Sequence, residues 1–97
     1  MKATWNNAVI AESDDTISIE GNHYFPPASV KHEYLQPSST PYTCWWRGKC
    51  TYYSLKVGEE IGKDACWAYL EPPQTAIDKV GQDFTGYIAF WHTVDVG

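Results

Sequence analysis

Apolar and polar positions alternate with a period of two along most of this chain, and helical spacing is confined to one short stretch. Ile17 and Ile19 point one way while Thr16, Ser18 and Glu20 point the other, so Thr16–Glu20 reads as a half-buried strand. Lys2–Trp5 and Ala8–Ala11 flank Asn6-Asn7, two residues that tolerate positive φ, and together they predict a hairpin. Gly21-Asn22 predicts a second turn, with His23–Phe25 as the return strand and Pro26-Pro27 as its stop. Ala28–Val30 reads as one helical turn, Lys31–Gln36 as extended, and Pro37–Pro41 as a loop by its turn residues.

The second half continues in the same style. Tyr42–Trp46 and Lys49–Val57 are aromatic and β-branched, with a turn or bulge at Arg47-Gly48. Within the second run Thr51, Tyr53, Leu55 and Val57 share one face, and Cys50, Tyr52, Ser54 and Lys56 the other. Gly58–Asp64 reads as a polar hairpin loop, and Ala65–Leu70 as a strand with Trp67 and Tyr69 on one side, ended by Pro72-Pro73. Gln74–Val80, between a proline and Gly81, is the best helix candidate. Tyr87–Val96 is apolar on both faces near Ile88–Trp91, the pattern of a central strand. These elements predict one mainly-β domain over residues 1–97 with one or two short helices.

Composition sharpens this picture. Five Trp, seven Tyr and three Phe stand against a single Met, so rings must fill much of the interior. Twelve acids against seven bases give a net charge of -5, which opposes approach to phosphate backbones, so nucleic acid is not an expected partner. The mainly apolar run Tyr87–Trp91 is far shorter than the roughly 18–20 residues a spanning helix needs, and Met1–Asp15 lacks the plan of a signal peptide. The expectation is a cytoplasmic protein without a membrane partner, a monomer or weak homodimer. Three cysteines cannot all pair within one chain, and only a turn between Cys44 and Cys50 would bring those two close enough to bond.

Chemically capable residues are densest at Thr43-Cys44-Trp45-Trp46-Arg47-Gly48-Lys49. A thiol beside two cations can be held as thiolate, the form that attacks carbon, phosphorus or sulfur, which makes Cys44 a candidate nucleophile. The competing interpretation is a small buried hydrophobe with solvated flanks. Tyr24, Trp46, Tyr53, Trp67 and Tyr69 could line a concavity that binds flat or cationic ligands, or could simply fill the core. No Cys-x-x-Cys or paired-His spacing supports a metal site, and no phosphate-cradling glycine loop is present, so neither metal nor cofactor is expected.

The strings Trp5-Asn6-Asn7, Glu20-Gly21-Asn22-His23-Tyr24-Phe25-Pro26, Cys44-Trp45-Trp46-Arg47-Gly48, Tyr52-Tyr53, Ala65-Cys66-Trp67-Ala68-Tyr69 and Ala89-Phe90-Trp91 together resemble domain-of-unknown-function family 427, nearly end to end and in order. The resemblance implies a small bacterial protein whose two antiparallel sheets meet in a tent-like or sandwich arrangement. The family is sometimes filed under a nucleotidyltransferase-like heading, for which this chain offers no phosphate loop or metal carboxylates. Its signature positions fall here on Glu20, Asn22, Tyr24, Cys44, Trp46, Gly48, Tyr53, Trp67 and Tyr69. The family commonly has proline where this chain has Trp45 and lysine where it has Arg47, so a chemistry needing a neutral amine would be lost. The connection Gly81–Gly86 is also longer than the usual one.

Three functions follow as expectations. The first is binding of a small flat or anionic ligand between two sheets, with Arg47 recognising charge, Tyr24, Trp46, Tyr53, Trp67 and Tyr69 as walls, and Glu20 or Asn22 as orienting groups. The second is an enzyme or transferase using Cys44. The third is a protein-interaction module that docks a partner on an exposed sheet edge or aromatic patch.

Overall fold

Asn6 and Asn7 take φ values of 49° and 64°, the left-handed pair that a two-residue hairpin turn requires. They join β1 (Lys2–Trp5) to β2 (Ala8–Glu12) in the computed structural model, which describes residues 1–97. A bulge opposite Ala3 and Thr4 puts one extra residue into β2, so the consecutive Ile10 and Ala11 are both buried.

The next hairpin pairs β3 (Ile17–Ile19) with β4 (Asn22–Tyr24), and Ile17 and Ile19 are its buried pair. Its turn lies one residue earlier than the expected Gly21-Asn22. Glu20 and Gly21 occupy it at φ 50° and 83°, and Asn22 already pairs with Ile19. Single 3-10 turns follow at Pro27–Ser29 and His32–Tyr34.

The remaining strands are β5 (Leu35–Cys44), β6 (Gly48–Val57), β7 (Glu60–Ala68), β8 (Ile88–Phe90) and β9 (Asp95–Val96). The stretch Pro37–Pro41, expected as a loop, is part of β5. It runs along the sheet edge, where missing proline donors cost nothing to the ladder, and bulges between the pairs Pro37–Tyr53 and Pro41–Thr51. Likewise the expected loop Gly58–Asp64 shrinks to Gly58-Glu59, and the polar residues after it pair in β7 up to a second bulge opposite Tyr53 and Leu55. Asp64, at φ 53°, sits in that bulge, where its Oδ2 accepts from Thr40 Oγ1 at 2.7 Å and its N–H donates to Ser54 Oγ at 3.0 Å. This clamp joins the two bulges.

The helix α1 (Gln74–Val80) has the expected bounds and closes on Gly81 in the left-handed conformation at φ 87°. Instead of one long strand over Tyr87–Val96, the chain forms β8, turns at Trp91–Val94, and joins a different sheet as β9. β8 therefore ends its sheet rather than lying centrally. It is buried on both faces because the sheet itself is covered on both, and Phe25 bonds its outer edge through Ile88 at 2.8 and 2.9 Å.

The fold is mainly β with antiparallel sheets, but there are three of them: β2-β1-β9, β3-β4 and β5-β6-β7-β8. The four-stranded sheet is the middle layer. One of its faces presents Leu55, Cys66, Ala68, Ile88 and Phe90 to Ala3, Ile10 and Ala11 of the three-stranded sheet, and Phe25 meets Phe90 edge-on at 5.5 Å. The other face presents Cys50, Trp67, Tyr69 and Ala89 to Ile17, Ile19 and Tyr24 of the β3–β4 hairpin, with Ala76 of α1 and Phe84 beside them. No helix is long and apolar enough to cross a membrane.

Candidate functional site

The turn Trp45–Arg47 between β5 and β6 returns the chain so that Cys44 pairs with Gly48 and Tyr42 with Cys50. Cys44 and Cys50 thus stand on neighbouring strands of one face, both buried and both thiols, as is Cys66 on the opposite face. The turn folds Arg47 back over the sheet. Its Nε donates to Cys44 Sγ at 3.3 Å and its Nη1 to the Tyr24 hydroxyl at 2.9 Å. The same hydroxyl accepts Trp67 Nε1 at 3.0 Å, which fixes the indole. Tyr24 is fully buried and packs edge-on to Trp67 and Phe84, each at 6.3 Å.

The Arg47 side chain is only 13% exposed, and its one opposite charge is Glu20, whose Oε2 lies 3.9 Å from Nη2. Glu20 is held there by Trp46, whose Nε1 donates to Oε1 at 3.1 Å. The guanidinium carbon sits 5.0 Å from the Tyr69 ring centre and 5.2 Å from that of Trp46, and Lys79 of α1 lies 4.5 Å from the Trp46 ring centre. Rings therefore supply part of the solvation that burial removes from this cation.

The thiols differ sharply. Burial pushes the Cys44 thiol up, but hydrogen bonds from the Arg47 side chain and from the turn amides of Arg47 and Trp46 outweigh it, so it lies below the ordinary thiol value. Burial pushes Cys50 up to about 11 against a partial offset from the Tyr69 hydroxyl, and Cys66 up to about 12. Burial likewise raises Tyr24, Tyr52 and Tyr69 above the usual phenol range.

Beside Arg47 a cleft of about 420 Å³ opens between the four-stranded sheet and the start of β4. Its floor is Cys50, Tyr52, Trp67 and Tyr69; Tyr42, Trp91, His92 and Asn22 complete the wall. Trp91 is 48% exposed and stands edge-on to Trp67 at 6.1 Å.

Of the residues anticipated from the sequence, Asn22, Arg47, Trp67 and Tyr69 line this cleft, and Tyr24 braces it from behind. Glu20 and Trp46 lie outside the lining as the charge partner of Arg47 and its support. Cys44 also lies outside it, behind the guanidinium. Tyr53 is not brought to the cleft: it pairs with Cys66 and packs on the opposite face. Tyr52 takes the position expected of Tyr53, because Tyr52 is the residue directly opposite Trp67. Tyr42, Cys50, Tyr52, Trp91 and His92 are the lining residues that sequence reasoning missed.

These features define a three-layer β protein that holds a largely covered arginine at the edge of an aromatic cleft. The chain belongs to the family described as domain of unknown function DUF427, whose sequence profile matches residues 1–97. A comparison with curated proteins finds no match.

Proposed function

We propose that this protein binds a small flat, anionic ligand in the cleft beside Arg47. The observation that carries this reading is the state of the guanidinium: nearly buried, fully ionised, and faced by a single carboxylate at 3.9 Å. Two of the five N–H groups that a guanidinium carries are used by Cys44 and Tyr24. The Nη2 group makes no hydrogen bond within the protein, and it is not sealed, since the one sealed and unpartnered side-chain polar atom is Asp64 Oδ1. An anion reaching Nη2 would supply the hydrogen-bonded acceptor that Glu20, at 3.9 Å, does not. The rings of Tyr52, Trp67 and Trp91 supply flat apolar surface of the kind that small-molecule sites place beside one orienting charge.

In this reading Cys44 anchors Arg47, and Trp46 and Glu20 hold it from the other side. Trp67 and Trp91 report on occupancy. Intrinsic tryptophan fluorescence, screened against planar anions, is expected to change saturably and to lose that response in Trp91→Ala, which trims a half-exposed wall. A screen silent at millimolar concentrations overturns the reading.

A further inference from the structure

We propose that the ligand class is a planar organic monocarboxylate, its carboxylate on Arg47 and its ring against Trp67 and Trp91, rather than a phosphorylated compound. This rests on the reading above and narrows it. The first support is a census of charge. The chain carries twelve acids and seven bases, yet the cleft lining contains one cation and no Asp or Glu. A carboxylate brings one negative charge and two in-plane oxygens, the complement of a single planar guanidinium. A phosphomonoester brings about 1.5 to 2 negative charges and three acceptor oxygens, and needs several cations or a row of backbone amides. No lysine lines the cleft, and the chain's net charge of -5 repels a dianion more than a monoanion.

The donors fit the same class. With Nε and Nη1 engaged by Cys44 and Tyr24, Nη2 is the edge of the guanidinium left for a ligand. The hydroxyl of Tyr52, which has no partner in the fold, is the further donor on the cleft floor, whereas that of Tyr69 is directed at Cys50. One Arg edge and one phenol can satisfy a carboxylate while adding no second positive charge. Trp67 is fixed by its bond to Tyr24, so its ring serves as surface rather than as a donor to the ligand.

The test compares 1-naphthoate, 1-naphthamide and 1-naphthyl phosphate by following the five indole N–H resonances of the intact protein. Naphthoate is expected to shift the Trp67 and Trp91 signals, to leave Trp5 unmoved, and to bind on the order of tenfold tighter than either analogue, a difference of about 1.4 kcal/mol. Tyr52→Phe, which removes a hydroxyl with no partner in the fold, is expected to weaken naphthoate several-fold and naphthamide by a smaller factor, since a hydrogen bond to a charged acceptor is the stronger one. Equal or tighter binding of the phosphate at the same indoles overturns the carboxylate class and leaves the anion site standing. Equal binding of the amide overturns any role for charge, and no shift with all three removes the class and the site together.

Discussion

The hydroxyl of Tyr24 accepts two hydrogen bonds at once, from Arg47 Nη1 at 2.9 Å and from Trp67 Nε1 at 3.0 Å. One oxygen thus ties the β5–β6 turn to β7 and both to β4. It converts a core tyrosine into the part that sets where the cation and the indole stand.

Tyr24→Phe removes that shared acceptor and leaves the buried Trp67 donor and the part-buried Arg47 donor without a partner. The cost of stranding a buried donor is about 1–3 kcal/mol each, so the substitution is expected to destabilise the fold by at least that much, measured by urea unfolding. Tyr52→Phe is the comparison. Its hydroxyl has no partner to strand, and its expected effect on stability is about 0.5 kcal/mol or less.

Much of the fold follows from alternation alone. The Asn6-Asn7 hairpin and the α1 bounds are where the pattern puts them, and the β3–β4 pair is one residue out at its turn, because each depends on local φ preference, local alternation or a Pro-to-Gly frame. The candidate site was less legible for one physical reason, which is register. Faces along β6 and β7 can be read separately, but which residues oppose each other depends on the bulge between Tyr53 and Leu55, set by long-range pairing. A shift of one residue exchanges Tyr52 for Tyr53. Trp91 was hidden for a related reason: it looks like the continuation of a buried strand, yet the chain turns away after Phe90 and leaves the ring half in solvent.

The thiols give a prediction in pH. Cys66 is expected to ionise near 9.0 in the unfolded chain and at about 12 in the folded one, and Cys50 shifts the same way to about 11. A raised folded value means that the folded state keeps its proton longer. Its stabilising contribution is therefore complete below pH ~9 and is lost progressively as pH rises from there to the folded values. For Cys66 alone the loss at pH ~10.5 is on the order of 2 kcal/mol, read as a falling urea midpoint between pH ~8.5 and ~10.5. Cys44 moves in the opposite sense. Iodoacetamide near neutral pH is expected to label it before the other two, and Arg47→Gln, by removing the Nε donor, is expected to slow that labelling.

The clamp at Asp64 separates conformation from hydrogen bonding. Its positive φ suits Asn nearly as well as Asp, whereas Ala is strained there and accepts nothing from Thr40. Asp64→Ala is expected to cost about 1–3 kcal/mol and to speed amide exchange around the β5 bulge at Ser38–Thr40, while Asp64→Asn costs less. Hydrogen bonds from Ser38 and Thr40 hold the Asp64 carboxyl below the usual carboxylate range. The stability they confer is present above the unfolded value of 3.8 and fades as pH falls through the lower folded one.

Glu20 brings strain and function to one residue. It sits at φ 50° in a two-residue turn whose second position is Gly21, a place where Asn-Gly is the favoured pair and where a long side chain costs roughly 1 kcal/mol. What the glutamate supplies in return is the carboxylate facing Arg47, held by Trp46. Because that pair is long and more than half of the glutamate side chain is exposed, it contributes little to stability. Glu20→Asn is therefore expected to leave the protein as stable as before or up to ~1 kcal/mol more so. The same change removes the internal anion nearest Nη2, so 1-naphthoate is expected to bind several-fold tighter to Glu20→Asn than to the parent. Glu20→Gln, which keeps the strain and loses the charge, should reproduce the gain in affinity without the gain in stability. If both variants bind naphthoate no better, Glu20 does not compete for the guanidinium, and its strained position has only a local structural cause.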